Sequence, residues 1–357
     1  MESMRSPPDP YAAIDRGGPA QPLLIVRDLQ KRFAVGGSAF AGRRRYLHAV
    51  DGVSFTVAKG ETLGVVGESG CGKSTTARLI ARLIAPDTGE LVFDGDGVAT
   101  YGGIALKDYR RSLQMVFQDS FASLNPRLTV LDAIAYGPRV HGVSKSDAQA
   151  RARSLMARVG LSPDQFVARY PHELSGGQRQ RVNIARALAF EPRMLILDEA
   201  VAALDKSVQA QVLNLLQELK AEHALTYLFI SHDLHVVHYL ADRVLVMYLG
   251  QIVEIGPVDA LYRRTRHPYS RALLSAVPSM DPAHRTARSP LAGDPPNPIE
   301  RIEGCRFRGR CAHAAEVCAR VTPVLRETTA GHWAACHLDD PSSGHPEAIA
   351  SPRSVAG

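Results

Sequence analysis

The residues with the most specific chemistry are Gly67-Glu68-Ser69-Gly70-Cys71-Gly72-Lys73-Ser74-Thr75. They follow the apolar run TLGVV and lead into TTARLIARLI, so the spacing G-x-x-x-x-G-K-S falls between a strand and a helix. Glycines let such a loop turn until its N–H groups converge on phosphate oxygens. The start of the next helix adds partial positive charge. Lys73 is placed to reach the β- and γ-phosphates of a nucleotide, and the Ser74 hydroxyl to ligate Mg²⁺. Cys71 reads as a small filler rather than a nucleophile.

A second constellation is Met194-Leu195-Ile196-Leu197-Asp198-Glu199. An apolar run ending in two acids is also how an ordinary strand meets a turn. Downstream of a phosphate loop, it reads instead as a site in which Asp198 holds Mg²⁺ through water and Glu199 polarises an attacking water. A third is Leu174-Ser175-Gly176-Gly177-Gln178, which opens the helix QRQRVNIARALAF and makes another anion site at a helix start. A fourth is the late cysteine set Cys305, Cys311, Cys318 and Cys336, spaced x5, x6 and x17, against one cysteine elsewhere.

Behind these residues lie the elements that must position them. Strand-like runs LLIVRDL, SFTV, TLGVVG, LVFDG, LQMVFQ, RMLILDE, TYLFISH and RVLVMYLG alternate with helical stretches such as Thr75–Ile84, Lys145–Val159 and Val208–Glu222. That alternation predicts an α/β fold with a largely parallel sheet. LILDE and YLFIS are apolar without alternation, as expected of strands buried on both faces. After Tyr262 the composition changes to 11 of the 23 prolines, no lysine, and 13 arginines against 9 acids, which reads as a separate arginine-rich appendage. The expected organisation is a flexible tail over 1–21, a nucleotide-binding domain over 22–262 and a cysteine-bearing extension over 263–340. A disordered tail over 341–357 ends the chain. No apolar run is long enough for a membrane helix, and the first residues do not read as a secretory signal. The net charge of +6 is too diffuse for a nucleic-acid stripe.

The LSGGQ pentapeptide resembles the signature of ATP-binding-cassette (ABC) ATPases, and the family's other marks occur in order over about 23–258. Gln118 after LQMVF is similar to the Q-loop glutamine, Ala203-Leu204-Asp205 to the D-loop, and Ser231-His232-Asp233 to the switch histidine. The D-loop reads AALD where SALD is expected. The resemblance implies a RecA-like parallel-sheet core, an antiparallel β subdomain and a helical signature subdomain at about 119–183. It implies ATP and Mg²⁺, with Ser74, Gln118 and Asp198 around the metal. Glu199 would be the general base, His232 would hold the γ-phosphate, and Asp205 would communicate across a head-to-tail dimer. There each ATP lies between one phosphate loop and the partner's signature. For the adenine, Phe33 is the first choice of aromatic platform and Tyr46 the rival, because 36–45 looks like an insertion.

Within the family, LHAVDGVSF and HPYSRALLSAVP (His267–Pro278) resemble the oligopeptide/dipeptide importer branch, and the wording is closer to its "F" ATPase than to the "D" companion. That implies a heterodimer with a companion ATPase under two transmembrane permease subunits. It also implies an extracytoplasmic peptide-binding protein that supplies the solute, and a peripheral place for the chain on the cytoplasmic face of the membrane. Related importers carry nickel, glutathione or other small solutes. A soluble ABC ATPase acting on nucleic acid or ribosomes is the alternative of another class. GCRFRGRC…C…C resembles the branch's C-terminal element that can carry a [4Fe–4S] cluster. A structural zinc site would normally show a tighter C-x₂₋₄-C pair. Arg306, Arg308, Arg310 and Arg320 would offset the cluster's negative charge, and His313, His332 and His337 would lie exposed or outside the ligand set.

Overall fold

The computed structural model describes residues 21–35, 45–276 and 302–348, with 293, 296 and 299. The expected N-terminal tail, apart from Gln21, and the insertion, apart from Arg45, lie outside the described residues. So do 349–357.

Among the described residues, twelve strands form two sheets. β1 (Leu24–Val35), β2 (Arg45–Val57), β4 (Thr88–Phe93) and β5 (Asp96–Gly97) make an antiparallel sheet in the order β2-β1-β4-β5. The larger sheet runs β11 (Arg326–Thr329), β12 (His332–Ala334), β10 (Gln251–Pro257), β9 (Arg243–Tyr248), β3 (Thr62–Val66), β8 (Thr226–Ile230), β7 (Met194–Asp198), β6 (Leu113–Val116). From β9 to β6 every neighbour is parallel; from β9 outward through β10, β12 and β11 every neighbour is antiparallel. Every residue of β3, β7 and β8 is buried, which is why those runs carry no polar alternation.

The helices are α1 (Lys73–Ile80), α2 (Leu106–Ser112), α3 (Val130–Val140), α4 (Lys145–Arg158), α5 (Pro163–Phe166), α6 (Gly176–Leu188), α7 (Lys206–His223), α8 (Leu234–Leu240), α9 (Val258–Arg263), α10 (Pro268–Ser275) and α11 (Glu316–Arg320). α1 stops four residues before its expected end because Arg82 turns to φ 54° ahead of Pro86. Helices α3 to α6 pack as one group through Ile134, Ala152, Met156 and Ile184, all fully buried. They hold the stretch expected to be the helical subdomain.

Two sequence expectations change. Compositional contrast puts a boundary at 262/263, but the large sheet crosses it: Glu254 pairs with Ala334 and Ile255 with Trp333, so the extension supplies the last two strands at that end of the sheet. The loose tail expected from Pro341 does not begin at that residue. Within 341–348 one side chain is buried: His345 is 6% exposed and its Nε2 lies 2.7 Å from the His313 carbonyl oxygen.

Strand β10 was not among the expected strands, and Glu254 is the reason. A carboxylate interrupts the apolar run QIVEIG, yet it is fully buried. It accepts hydrogen bonds from the backbone N–H of Arg266 (2.8 Å) and of His267 (3.0 Å), and meets His332 Nε2 at 2.8 Å. A buried acid is tolerable when its oxygens are satisfied in this way. The same contacts anchor the HPY triplet: His267 N-caps α10 by accepting from the Tyr269 N–H, and Pro268 takes the first helical position.

Candidate active site

Four neighbouring parallel strands, β3, β8, β7 and β6, end on the same side of the sheet. Their carboxyl ends carry the phosphate loop, His232, Asp198-Glu199 and Gln118 respectively. The outlet of adjacent parallel strands is where α/β sheets place ligands.

The phosphate loop needs glycine at two positions for steric as well as dihedral reasons. Gly67 has φ 149° and a Cβ there would lie 2.3 Å from the Met247 carbonyl oxygen. Gly72 has φ 109° and a Cβ would lie 2.4 Å from the Ala49 carbonyl oxygen. Ser69 and Gly70 are exposed at the crest, and Thr75 is half-buried in the first turn of α1. Lys73 folds back over the loop, donating to the carbonyl oxygens of Gly67 (2.7 Å) and Glu68 (3.0 Å). Cys71 is 3% exposed and burial pushes its thiol up, which suits a filler.

Ser74 donates its hydroxyl hydrogen to Asp198 Oδ1 at 2.9 Å. Asp198 is 4% exposed, and desolvation raises its carboxyl above the ordinary range. Glu199 adopts φ 48°, uncommon for a side chain of its size, with its N–H held by the Ile230 carbonyl at 3.0 Å. Two groups meet one of its oxygens: Gln118 Nε2 donates to Glu199 Oε2 at 2.7 Å, and His232 Nδ1 lies 3.4 Å from the same atom.

The signature opens α6. Ser175 is its N-cap, accepting from the Gln178 N–H at 3.3 Å, while Gln178 Oε1 accepts from the Ser175 N–H at 2.9 Å. Leu174 is buried and Ser175 exposed. A Cβ on Gly177 would come 2.4 Å from Val208 Cγ1, so α6 and α7 approach closely there, and Gly176 stands near Leu204. Asp205 N-caps α7, accepting from the Val208 N–H at 2.9 Å; that bond and the Ser207 hydroxyl keep its carboxyl below the usual range.

Of the aromatic pair, Phe33 is half-buried and Tyr46 39% exposed. In the β1–β2 register Phe33 faces Leu47, and Ala34 faces Tyr46. Directly paired residues share a face and successive residues alternate, so Phe33 and Tyr46 lie on opposite faces of the sheet.

The four late cysteines are free thiols that line one small cavity, together with His337 and His345. Burial pushes Cys305 up to about 11 and Cys336 to about 12. Among the described residues, no three His, Cys, Asp or Glu side chains are grouped as a metal-ion site. The arginines expected to offset a cluster's charge have other partners. Arg306 pairs with Asp51, Arg308 with the Glu303 carbonyl, Arg310 with Glu68 and Arg320 with Glu316. Two of the neighbouring histidines are buried. His332 is 1% exposed and paired to Glu254. His337 is 5% exposed, and neither ring nitrogen has a hydrogen-bond partner.

Sequence reasoning missed an apolar groove of about 410 Å³ beside Gln118, lined by Leu83, Met115, Phe117, Tyr136, Val140 and Phe190. Tyr136 and Val140 are 59% and 65% exposed. Their i, i+4 spacing on a helix whose other face is buried was the available signal. It also missed Tyr269 and Arg310, whose partner is the phosphate loop; the HPY triplet marked the first of these.

A family model described as ABC transporter matches residues 50–202, and one described as oligopeptide/dipeptide transporter, C-terminal region, matches 253–318. A Brucella ovis protein named for peptide import and ATP binding is 49% identical over 320 residues, covering 89% of this chain and 98% of its own. The oligopeptide transport ATP-binding protein AppF of Bacillus subtilis is 47% identical, covering 88% and 97%. Among solved structures, cbiO1 from Clostridium perfringens, part of the ABC transporter complex cbiONQ, superposes with TM-score 0.58 at 27% identity, over 68% of this chain and 91% of that one. The ATP-binding cassette MJ0796, a dimer bound to ADP and Pi, gives 0.56 at 26% identity, over 66% and 98%.

Proposed function

The chain belongs to the ABC transporter family and carries its oligopeptide/dipeptide C-terminal region, and on that premise we propose that it hydrolyses ATP to power the import of di- and oligopeptides. The observation that carries this reading is the convergence of Lys73, Ser74, Asp198, Glu199, Gln118 and His232 at the ends of four adjacent parallel strands.

Lys73 and the loop N–H groups bind the phosphates of ATP. The oxygens of Ser74, Asp198 and Gln118 suit a hard cation, and the 2.9 Å Ser74–Asp198 contact puts two of them side by side. Mg²⁺ supplies charge neutralisation of the β- and γ-phosphates when bound. Glu199 takes the proton of the attacking water as general base, and His232 orients that water and the γ-phosphate. The Ser175-Gly176-Gly177 start of α6, with Ser175 exposed, meets the ATP of a companion cassette, so nucleotide closes a head-to-tail heterodimer, with Asp205 at the seam. Phe33 is the adenine platform.

Among the described residues no helix is long and apolar enough to cross a membrane. The groove beside Gln118 offers exposed Tyr136 and Val140 to a permease loop. We infer that the chain lies peripherally at the cytoplasmic face, under two permease subunits fed by an extracytoplasmic peptide-binding protein, a reading supported by its family.

The four-cysteine cavity is read as a [4Fe–4S] site. Its donors are thiols, and buried His337 faces it with unpartnered nitrogens. A cluster spreads its four sulfurs around its own volume, so the lack of a tight ligand trio is compatible with it. Anaerobically purified protein should contain about four irons per chain and absorb in the visible; stoichiometric zinc would contradict the assignment.

The transport reading is tested by complementation. A strain lacking the chain should regain uptake of labelled dipeptide with the wild type and not with Lys73→Ala. Restoration of nickel or glutathione uptake alone would retain the ATPase and remove the peptide.

A further inference from the structure

Glu68, the second residue of the phosphate loop, is held from the C-terminal extension by two side chains. Arg310 grips its carboxylate with a fork, Nη1 to Oε2 at 2.8 Å and Nη2 to Oε1 at 2.9 Å. The Tyr269 hydroxyl accepts the Glu68 backbone N–H at 2.8 Å. The third group on this residue is Lys73 itself, which donates to the Glu68 carbonyl at 3.0 Å. Side chain, amide and carbonyl of one loop residue are therefore each fixed.

Both clamping side chains are built in. The Arg310 side chain is 6% exposed, and its guanidinium lies 6.0 Å from the Tyr248 and Phe307 ring centres. Tyr269 is fully buried, its ring 4.6 Å from that of Tyr248 and 5.4 Å from that of Phe307. The aromatic trio ties α10, β9 and the Cys305–Cys311 segment into one block, and from that block the two polar ends reach the loop. A forked arginine fixes orientation as well as charge, which a lysine cannot do.

We propose that Arg310 and Tyr269 are positioning residues for ATP binding, holding the phosphate loop in its receptive shape through Glu68. The proposal rests on the reading of 67–75 as the phosphate cradle. With the Glu68 N–H committed to Tyr269, the peptide at that point has one orientation, and the N–H groups farther along inherit it. Loosening the clamp makes the receptive loop one of several conformers and weakens apparent affinity by the fraction lost.

The test uses the full-length protein, with ATP affinity measured by titration of a fluorescent ATP analogue and turnover measured on the same preparations. Arg310→Met should raise the KM for ATP about tenfold, as expected for loss of a charge-assisted pair, while kcat at saturating ATP stays close to wild type. Arg310→Lys should recover part of the loss. Tyr269→Phe, which keeps the ring, should shift KM the same way by less. Glu68→Gln approaches the pair from the loop side, and the double variant Glu68→Gln/Arg310→Met should be no worse than Arg310→Met. Unchanged KM in Arg310→Met and Tyr269→Phe, or additive losses in the double variant, would overturn the proposal. So would kcat and KM worsening together with a lowered unfolding midpoint. Lys73→Ala separates the two readings: if it binds ATP normally the cradle itself is misassigned, whereas lost binding there with wild-type behaviour in Arg310→Met removes only the clamp.

Discussion

Gln118 and Glu199 are joined by a 2.7 Å hydrogen bond across the ends of the neighbouring strands β6 and β7, although 81 residues separate them in sequence. His232 approaches the same carboxylate oxygen from β8. The oxygen proposed to take a proton from water is thus flanked by an amide donor and an imidazole.

This arrangement makes Gln118→Glu informative. It exchanges a donor for a second carboxylate at hydrogen-bond distance, and two such groups do not both ionise readily. The acidic limb of the turnover–pH profile should move upward by about one unit or more. Gln118→Ala should lower turnover without that displacement. A profile from Gln118→Glu that coincides with wild type would mean the two side chains do not stay together during turnover.

The opposite faces of Phe33 and Tyr46 give a clean choice of adenine platform. Phe33→Ala should weaken ATP binding about tenfold, the scale of a lost base–aromatic stack, and Tyr46→Ala should leave it near wild type. Calorimetric titration of each variant checks this; the reverse result would transfer the platform to Tyr46.

Acid should destabilise the junction between the ATPase and its extension. Burial lowers the His267 pKa to about 4, with Glu254 pulling the other way. The unfolded value is about 6.5. Between those values the unfolded chain binds the extra proton, so stability is full above about 6.5 and falls as pH drops towards 4, by up to about 3 kcal/mol. Denaturant unfolding of His267→Gln should show a shallower loss across that window than wild type.

The runs that form β3, β7 and β8 were legible because strands buried in a parallel sheet allow few residue types, and the loop at 67–72 because its close backbone approaches require glycine. The rest was hidden where a local rule is overridden by a distant partner. Glu254 breaks β10 on paper and is satisfied by His332, 78 residues away. Trp333 and Ala334 look like part of a proline-broken appendage and form strand β12 because β10 presents an open side. Arg310 reads as counter-charge for neighbouring cysteines, and its actual partner is Glu68, 242 residues away.

The most direct test of the central claim is Glu199→Gln, with ATP binding and single-turnover hydrolysis measured on the same protein. Replacing the carboxylate by its amide keeps shape and removes the base. Binding should be retained while hydrolysis falls by a factor on the order of 10² to 10⁴. Hydrolysis at the wild-type rate would contradict the account, because the residue at the centre of this site would then not be the base.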